Sequence, residues 1–147
     1  MATTIDDLAA EFRAALGDGH QPVQFTRWLA DVWGDTVMIT HTPPMANDGP
    51  MDGRELGAGE VAIFEHMVAA IPDYHQENVT VSLDGDAIEF YEEIVGTLPD
   101  GTVARGPIHY RFTIEDGRIT HAHGTFDLSV LAPFTQVTAA AGLRVPD

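Results

Sequence analysis

At 147 residues the chain has the length of one domain with a real core, and we expect a single domain over 1–147. It holds neither cysteine nor lysine, which excludes disulfides, thiolate nucleophiles, Cys-ligated metals and Schiff-base chemistry. Against 23 acidic residues stand seven scattered arginines, a formal charge of −16 that repels phosphate backbones and excludes nucleic acid as a partner.

The opening MATTIDDLAAEF carries acids where a signal peptide carries basic residues, and no apolar run approaches the roughly 20 residues that span a bilayer. A cytoplasmic protein without membrane contact is therefore expected. Thr4 caps a first helix with Asp7 three positions on, and Ile5, Leu8, Ala9, Phe12 and Leu16 fall on one helical face until Gly17-Asp-Gly19 ends it. A second helix starts near Pro22, with Phe25, Trp28, Leu29 and Val32 at helical spacing.

Residues 35–41 (DTVMITH) read as a short strand stopped by Pro43-Pro44. The stretch from Ala46 to Gly59, rich in Gly and Asp, reads as a loop and a candidate lid over a pocket. From Glu60, the positions Val61, Phe64, Met67, Val68 and Ile71 predict a third helix halted by Pro72.

The period then changes to two. Residues 74–83, 87–96, 102–114 and 118–127 predict four strands joined at Asp84-Gly85, Asp100-Gly101 and Asp116-Gly117, and the tail from Leu128 to Leu143 predicts a short helix broken near Pro133. Helices first and an antiparallel meander after them make an α+β layout, without the β-α alternation of a parallel sheet.

Two stretches carry a family resemblance: Ile71-Pro-Asp73, closing the third helix, and Phe112-Thr-Ile-Glu-Asp-Gly-Arg-Ile119, leading to Phe126-Asp127. In them the chain resembles SnoaL-like proteins of the nuclear transport factor 2-like superfamily. The resemblance implies a cone-shaped α+β barrel, three helices packed on a strongly curved, mostly antiparallel sheet that encloses an apolar pocket. Relatives include ketosteroid isomerases, polyketide cyclases, limonene-1,2-epoxide hydrolase and non-catalytic members, so the fold leaves function open.

Carried over by position, the family's catalytic sets are incomplete. The isomerase tyrosine falls on Phe12, its late-strand acid on Ile108 and its general base near Thr40 or His41. The cyclase histidine and aspartate fall on Tyr110 and Gly124. The Asp-Arg-Asp set of the epoxide hydrolase falls on Glu93, Tyr91 and Gly124.

The candidate catalytic residues are accordingly Glu93, His41, Tyr91 and Tyr110. A carboxylate facing an apolar space has a raised pKa suited to a general base, while Glu93 pointing to solvent beside Glu92 is the competing reading. An imidazole can both take and give a proton, which makes His41 a candidate base, and either phenol can donate to a substrate carbonyl or enolate. Trp33, Met38, Phe64, Met67, Ile108 and Phe126 are candidate pocket lining, with plain core as the alternative.

His121 and His123 share a strand face and could join His109 as metal ligands. A plain two-residue Asp116-Gly117 turn puts both beside Tyr110 and Phe112, whereas a longer or bulged turn puts them opposite, with His109 and Arg111. On the family-like register they face outward, so no metal is expected. No organic cofactor is implied either, since glycine-rich phosphate loop and lysine are both missing. Apolar residues on both strand faces predict a homodimer through the convex face. The expected function is acid-base isomerisation, cyclisation or epoxide hydrolysis of a mostly apolar polyketide, terpenoid or steroid; the alternative is a non-catalytic ligand-binding or interaction module.

Overall fold

A computed structural model describes residues 4–16, 22–45, 48–125, 127, 129, 132–134 and 136–137. The order is α1 (Ile5–Leu16), α2 (Pro22–Val32), β1 (Trp33–Thr42), β2 (Gly49–Asp52), α3 (Gly53–Ala70), β3 (His75–Asp84), β4 (Ala87–Thr97), β5 (Val103–Glu115) and β6 (Arg118–Thr125). The expected α+β class holds. None of the described helices is long and apolar enough to cross a membrane.

The six strands form one mixed sheet in the order β2-β1-β6-β5-β4-β3. β1 runs parallel to β6 and every other pair is antiparallel, so the sheet is mostly antiparallel and open, with β2 and β3 at its edges. α1 lies on β3 and β4, while α3 lies on α2, β1 and β2, which is the arrangement of the cone fold.

Local chemistry starts each element. The Asp7 amide donates to Thr4 Oγ1 at 3.1 Å, and Leu8, Ala9, Phe12, Ala15 and Leu16 bury the stripe that follows. At the last hairpin Asp116 and Gly117 take φ of 51° and 74°, both left-handed, as a two-residue turn matching the strand twist requires. A bulge follows. Ile114 faces Ile119 but Thr113 faces His121, so Thr120 is an extra residue that reverses the facing of everything after it. The bulged alternative is thus the one adopted, and Arg111 pairs with His123 on the outer face.

The stretch from Ala46 to Gly59 departs from expectation. Ala46 lies outside the described residues, but residues 49–52 are strand β2, and α3 begins at Gly53 rather than Glu60. Asp52 caps that helix, accepting from the Glu55 amide at 3.0 Å. Glycines disfavour a helix locally, yet two of these are required by close approach. A Cβ on Gly53 would stand 1.8 Å from the Gly34 carbonyl oxygen, and one on Gly57 would stand 2.8 Å from Ala30 Cβ of α2. Tertiary packing chose residues that read as loop. The expected end of the first helix at Gly17 and most of the expected tail helix, with Phe126 before it, lie outside the described residues; Phe134 is buried edge-on against Tyr74.

The apolar core is divided. One cluster joins Phe12, Phe25, Leu56, Phe90 and Phe112; the other joins Met67, Ile71, Tyr74, Ile94 and Ala104. Three elements cross from one to the other, each at a polar side chain. α3 passes from Leu56 to Phe64 through Glu60, β4 from Phe90 to Ile94 through Glu92, and β5 from Phe112 to Ile108 through Tyr110.

Candidate functional site

The polar layer dividing the core is the chemically distinctive part of the interior. Side chains alternate along a strand, so Glu92 shares the inner face of β4 with Ile88, Phe90 and Ile94 and is buried with them. Its carboxylate accepts a hydrogen bond from the Gln76 side-chain amide, reaching across from β3. Burial raises the Glu92 pKa to about 8, and that hydrogen bond only partly offsets the effect.

Glu60 reaches the layer from the helix side, four residues from both Leu56 and Phe64, positions that lie on one helical face. It accepts from Trp33 Nε1 at 2.9 Å, and burial pushes its pKa up to about 7. Glu60 and Tyr110 are half-buried, and desolvation is the main influence on both.

Tyr110 lies within electrostatic reach of both carboxyls. Burial first, then the charges of Glu60 and Glu92, hold its phenol pKa well above the ordinary value, so it stays protonated as a donor. Tyr74 is held up in the same way by burial, Glu92 and Tyr110. Gly124, opposite Tyr110 on β6, and Ala122, opposite Phe112, are the small residues beside these rings. Two carboxyls that exchange protons near neutrality, next to phenols that do not, form a base and hydrogen-bond donors in a dry setting.

The four expected catalytic residues do not meet. Tyr110 and His41 are on the inner face; Glu93 and Tyr91 are on the outer one. Glu93 accepts from Asn78 Nδ2 at 2.6 Å and from Arg105 Nη1 at 3.1 Å, and these two partners lower its pKa. Tyr91 is 48% exposed and stacks on His109 with ring centroids 4.1 Å apart. Both line an open groove of about 340 Å³ with Asn78, Pro107 and Asp127, and Glu92 and Ile108 border the same groove. His41 is buried, its Nδ1 2.6 Å from Asp48 Oδ1, and its backbone amide donates to the same carboxylate at 3.0 Å.

Of the expected lining, Trp33 and Met67 are buried, and Phe64 and Ile108 are partly buried on the inner side. Met38 is 41% exposed and pairs with His121 on the outer face. Phe126 lies outside the described residues. His121 and His123 both contact Thr40 Oγ1, at 2.8 and 2.6 Å, and no group of three or more acidic or histidine side chains is arranged to hold a metal among the described residues.

Glu92 and Glu60 are the residues that reading by resemblance passes over. Their signal was in the pattern. Glu92 has the parity of the apolar run on its strand, and Glu60 interrupts the apolar stripe of its helix. Aligning on family positions chose Glu93 instead, and one residue of offset on a strand turns a side chain to the opposite face.

No family model and no curated protein sequence matches the chain. Solved structures do. A candidate SnoaL-like polyketide cyclase from Jannaschia sp. CCS1 is 19% identical, with 90% of this chain and 92% of that one covered and a TM-score of 0.57. A candidate polyketide cyclase from Xanthomonas campestris pv. campestris is 14% identical over 91% and 99%, with a TM-score of 0.60. A ketosteroid isomerase-like protein from Catenulispora acidiphila, in complex with trimethylamine, is 17% identical over 93% and 94%, with a TM-score of 0.52. The chain has the SnoaL-like, nuclear transport factor 2-like fold; identities this low establish the fold and leave the activity open.

Proposed function

We propose that this protein is a cofactor-independent enzyme of proton-transfer chemistry, acting on a small molecule with an apolar body bound between the sheet and its helices. The observation that carries the reading is the buried Glu92 carboxyl on the inner face, with a pKa of about 8, beside the protonated phenol of Tyr110. Glu92 takes the part of general base that the resemblance assigns to Glu93. Tyr110 donates to the oxygen on which negative charge develops, and Glu60 is the second carboxyl able to hold the proton. Isomerisation, cyclisation and epoxide opening all need this pair of roles. TerC, another protein of this fold, was co-crystallised with polyporic acid, which supports a small-molecule ligand here.

The test is elimination of 5-nitrobenzisoxazole, an apolar probe whose ring opens when one base removes one proton. We expect saturable turnover that rises with pH as Glu92 ionises and is lost in Glu92→Gln. Unchanged turnover in that variant would falsify the assignment, and His41→Gln in the same assay tests the competing base.

The non-catalytic reading has its own support in the incompleteness of every family catalytic set, and it predicts tight binding of apolar ligands with no turnover of the probe. A homodimer through the outer face remains our proposal. Tyr91 and Met38 are exposed there, and Tyr91→Asp should lower the mass measured by light scattering from dimer to monomer.

A further inference from the structure

The polar layer of the interior is rich in hydrogen-bond acceptors and, among the described residues, has no basic side chain paired with its two carboxyls. Both carboxyls, Glu60 on α3 and Glu92 on β4, accept one hydrogen bond each, from Trp33 and from Gln76. The other end of the Gln76 amide, Oε1, is buried and has no partner among the described residues, although the whole side chain is only 6% exposed. The Gln76 amide thus meets Glu92 with its donor end and leaves its acceptor end buried and unpartnered, an arrangement that is costly unless a donor or a positive charge arrives.

The described residues do not supply that charge. The chain has no lysine. Among its described arginines, Arg13, Arg27, Arg54, Arg105 and Arg118 are exposed, and Arg111 is tied to Asp84 and Glu89 on the outer face. Aromatic rings, which attract cations, are at hand: Trp33 bonds Glu60, and Tyr110 is within electrostatic reach of both carboxyls. A net charge of −16 also draws cations toward the molecule and repels anions.

We propose that the interior site takes an organic cation, a ligand with an apolar body and one ammonium group, received by Glu60, Glu92 and Gln76 Oε1 beside the rings of Trp33 and Tyr110. The inference rests on the site assigned above and names its ligand class. The titratable groups of the layer and of the elements around it are Glu60 from α3, Tyr74 preceding β3, Glu92 from β4 and Tyr110 from β5, with His41, paired with Asp48, on the same face of the sheet at β1. An empty site holds its carboxyls partly protonated at neutrality, so binding a fixed cation releases protons and tightens as pH rises.

Calorimetry on the full chain with benzyltrimethylammonium, whose charge does not titrate, against benzyl alcohol and benzoate decides the matter. We expect saturable one-to-one binding of the cation about tenfold or more tighter than the alcohol, with benzoate weakest. Affinity for the cation should increase from pH 6 to pH 9, with proton release seen as a dependence of the heat on buffer. Glu60→Gln and Gln76→Leu should each weaken it about tenfold, whereas Glu65→Gln, exposed on the same helix, should not change it. Should Glu60→Gln fail to fold by circular dichroism, Gln76→Leu and the pH series still decide. Benzyl alcohol binding as tightly as the cation, or affinity falling with pH, overturns the proposal. Cation preference without any Glu92-dependent turnover of the benzisoxazole probe would instead sink only the base assignment, and the reverse outcome would sink only this one.

Discussion

Glu92 and Glu93 are neighbours in the chain and have opposite chemistry. The inner one is buried among Phe90, Ile94 and the Gln76 amide, and its pKa rises to about 8. The outer one is held by Asn78 and Arg105, and its pKa falls below the ordinary value. The same division runs through the sheet. The outer face joins its charges in pairs, Arg105 with Glu77 and Glu93, Arg111 with Asp84 and Glu89, and His109 with Glu89. On the inner face the acids have only neutral donors, and a charge there has to be avoided by protonation or met by a ligand.

The largest expected effect comes from pH. The folded state binds the Glu92 proton more tightly than the unfolded chain, whose carboxyl keeps the ordinary value of 4.5. Its contribution to stability is therefore complete below pH 4.5 and is lost as pH rises toward 8 and beyond. Denaturant melts of wild type and Glu92→Gln from pH 4 to pH 9 should diverge in favour of the variant by on the order of 4 kcal/mol, while Glu93→Gln shows no such trend. Parallel curves for wild type and Glu92→Gln would mean that Glu92 is not desolvated.

Next in size is catalysis. Glu92→Gln should lower kcat/KM for the benzisoxazole probe at least about a hundredfold, and Glu93→Gln should leave it within about twofold, because only the inner carboxyl is desolvated and free of a cationic partner. Equal losses in both variants would dissolve the contrast between the faces.

The scaffold beneath the inner face offers a smaller effect. Gly57→Leu drives a side chain into Ala30 where even a Cβ would stand at 2.8 Å, and should cost about 1 to 3 kcal/mol in the same melts. A neutral result would show that α2 and α3 separate easily. Smallest of all is Arg105→Ala on the outer face. Its pairs with Glu77 and Glu93 are partly exposed, so we expect a small loss of stability that shrinks as salt is added. A larger, salt-independent loss would show that the outer network is shielded from water, as a subunit contact would shield it.

Periodicity and turn chemistry were enough to read the α+β order, α1 and α2, and the four-strand meander. Those signals are local: an amphipathic stripe for each helix, and Asp-Gly turns whose backbone requires left-handed φ. The parity that makes Glu92 an inner residue was equally local, as was the position of Glu60 in the α3 stripe. Three things depended on tertiary contacts. The glycine-bearing start of α3 is helical because Gly34 and Ala30 approach too closely for any side chain. The extra residue at Thr120 turned His121 and His123 outward, which the turn sequence alone left open between two registers. And the layer of Glu60, Glu92, Gln76 and Tyr110 draws on four elements, so the raised pKa values of its two carboxyls and its phenol come from a desolvation that exists only once the helices close over the sheet.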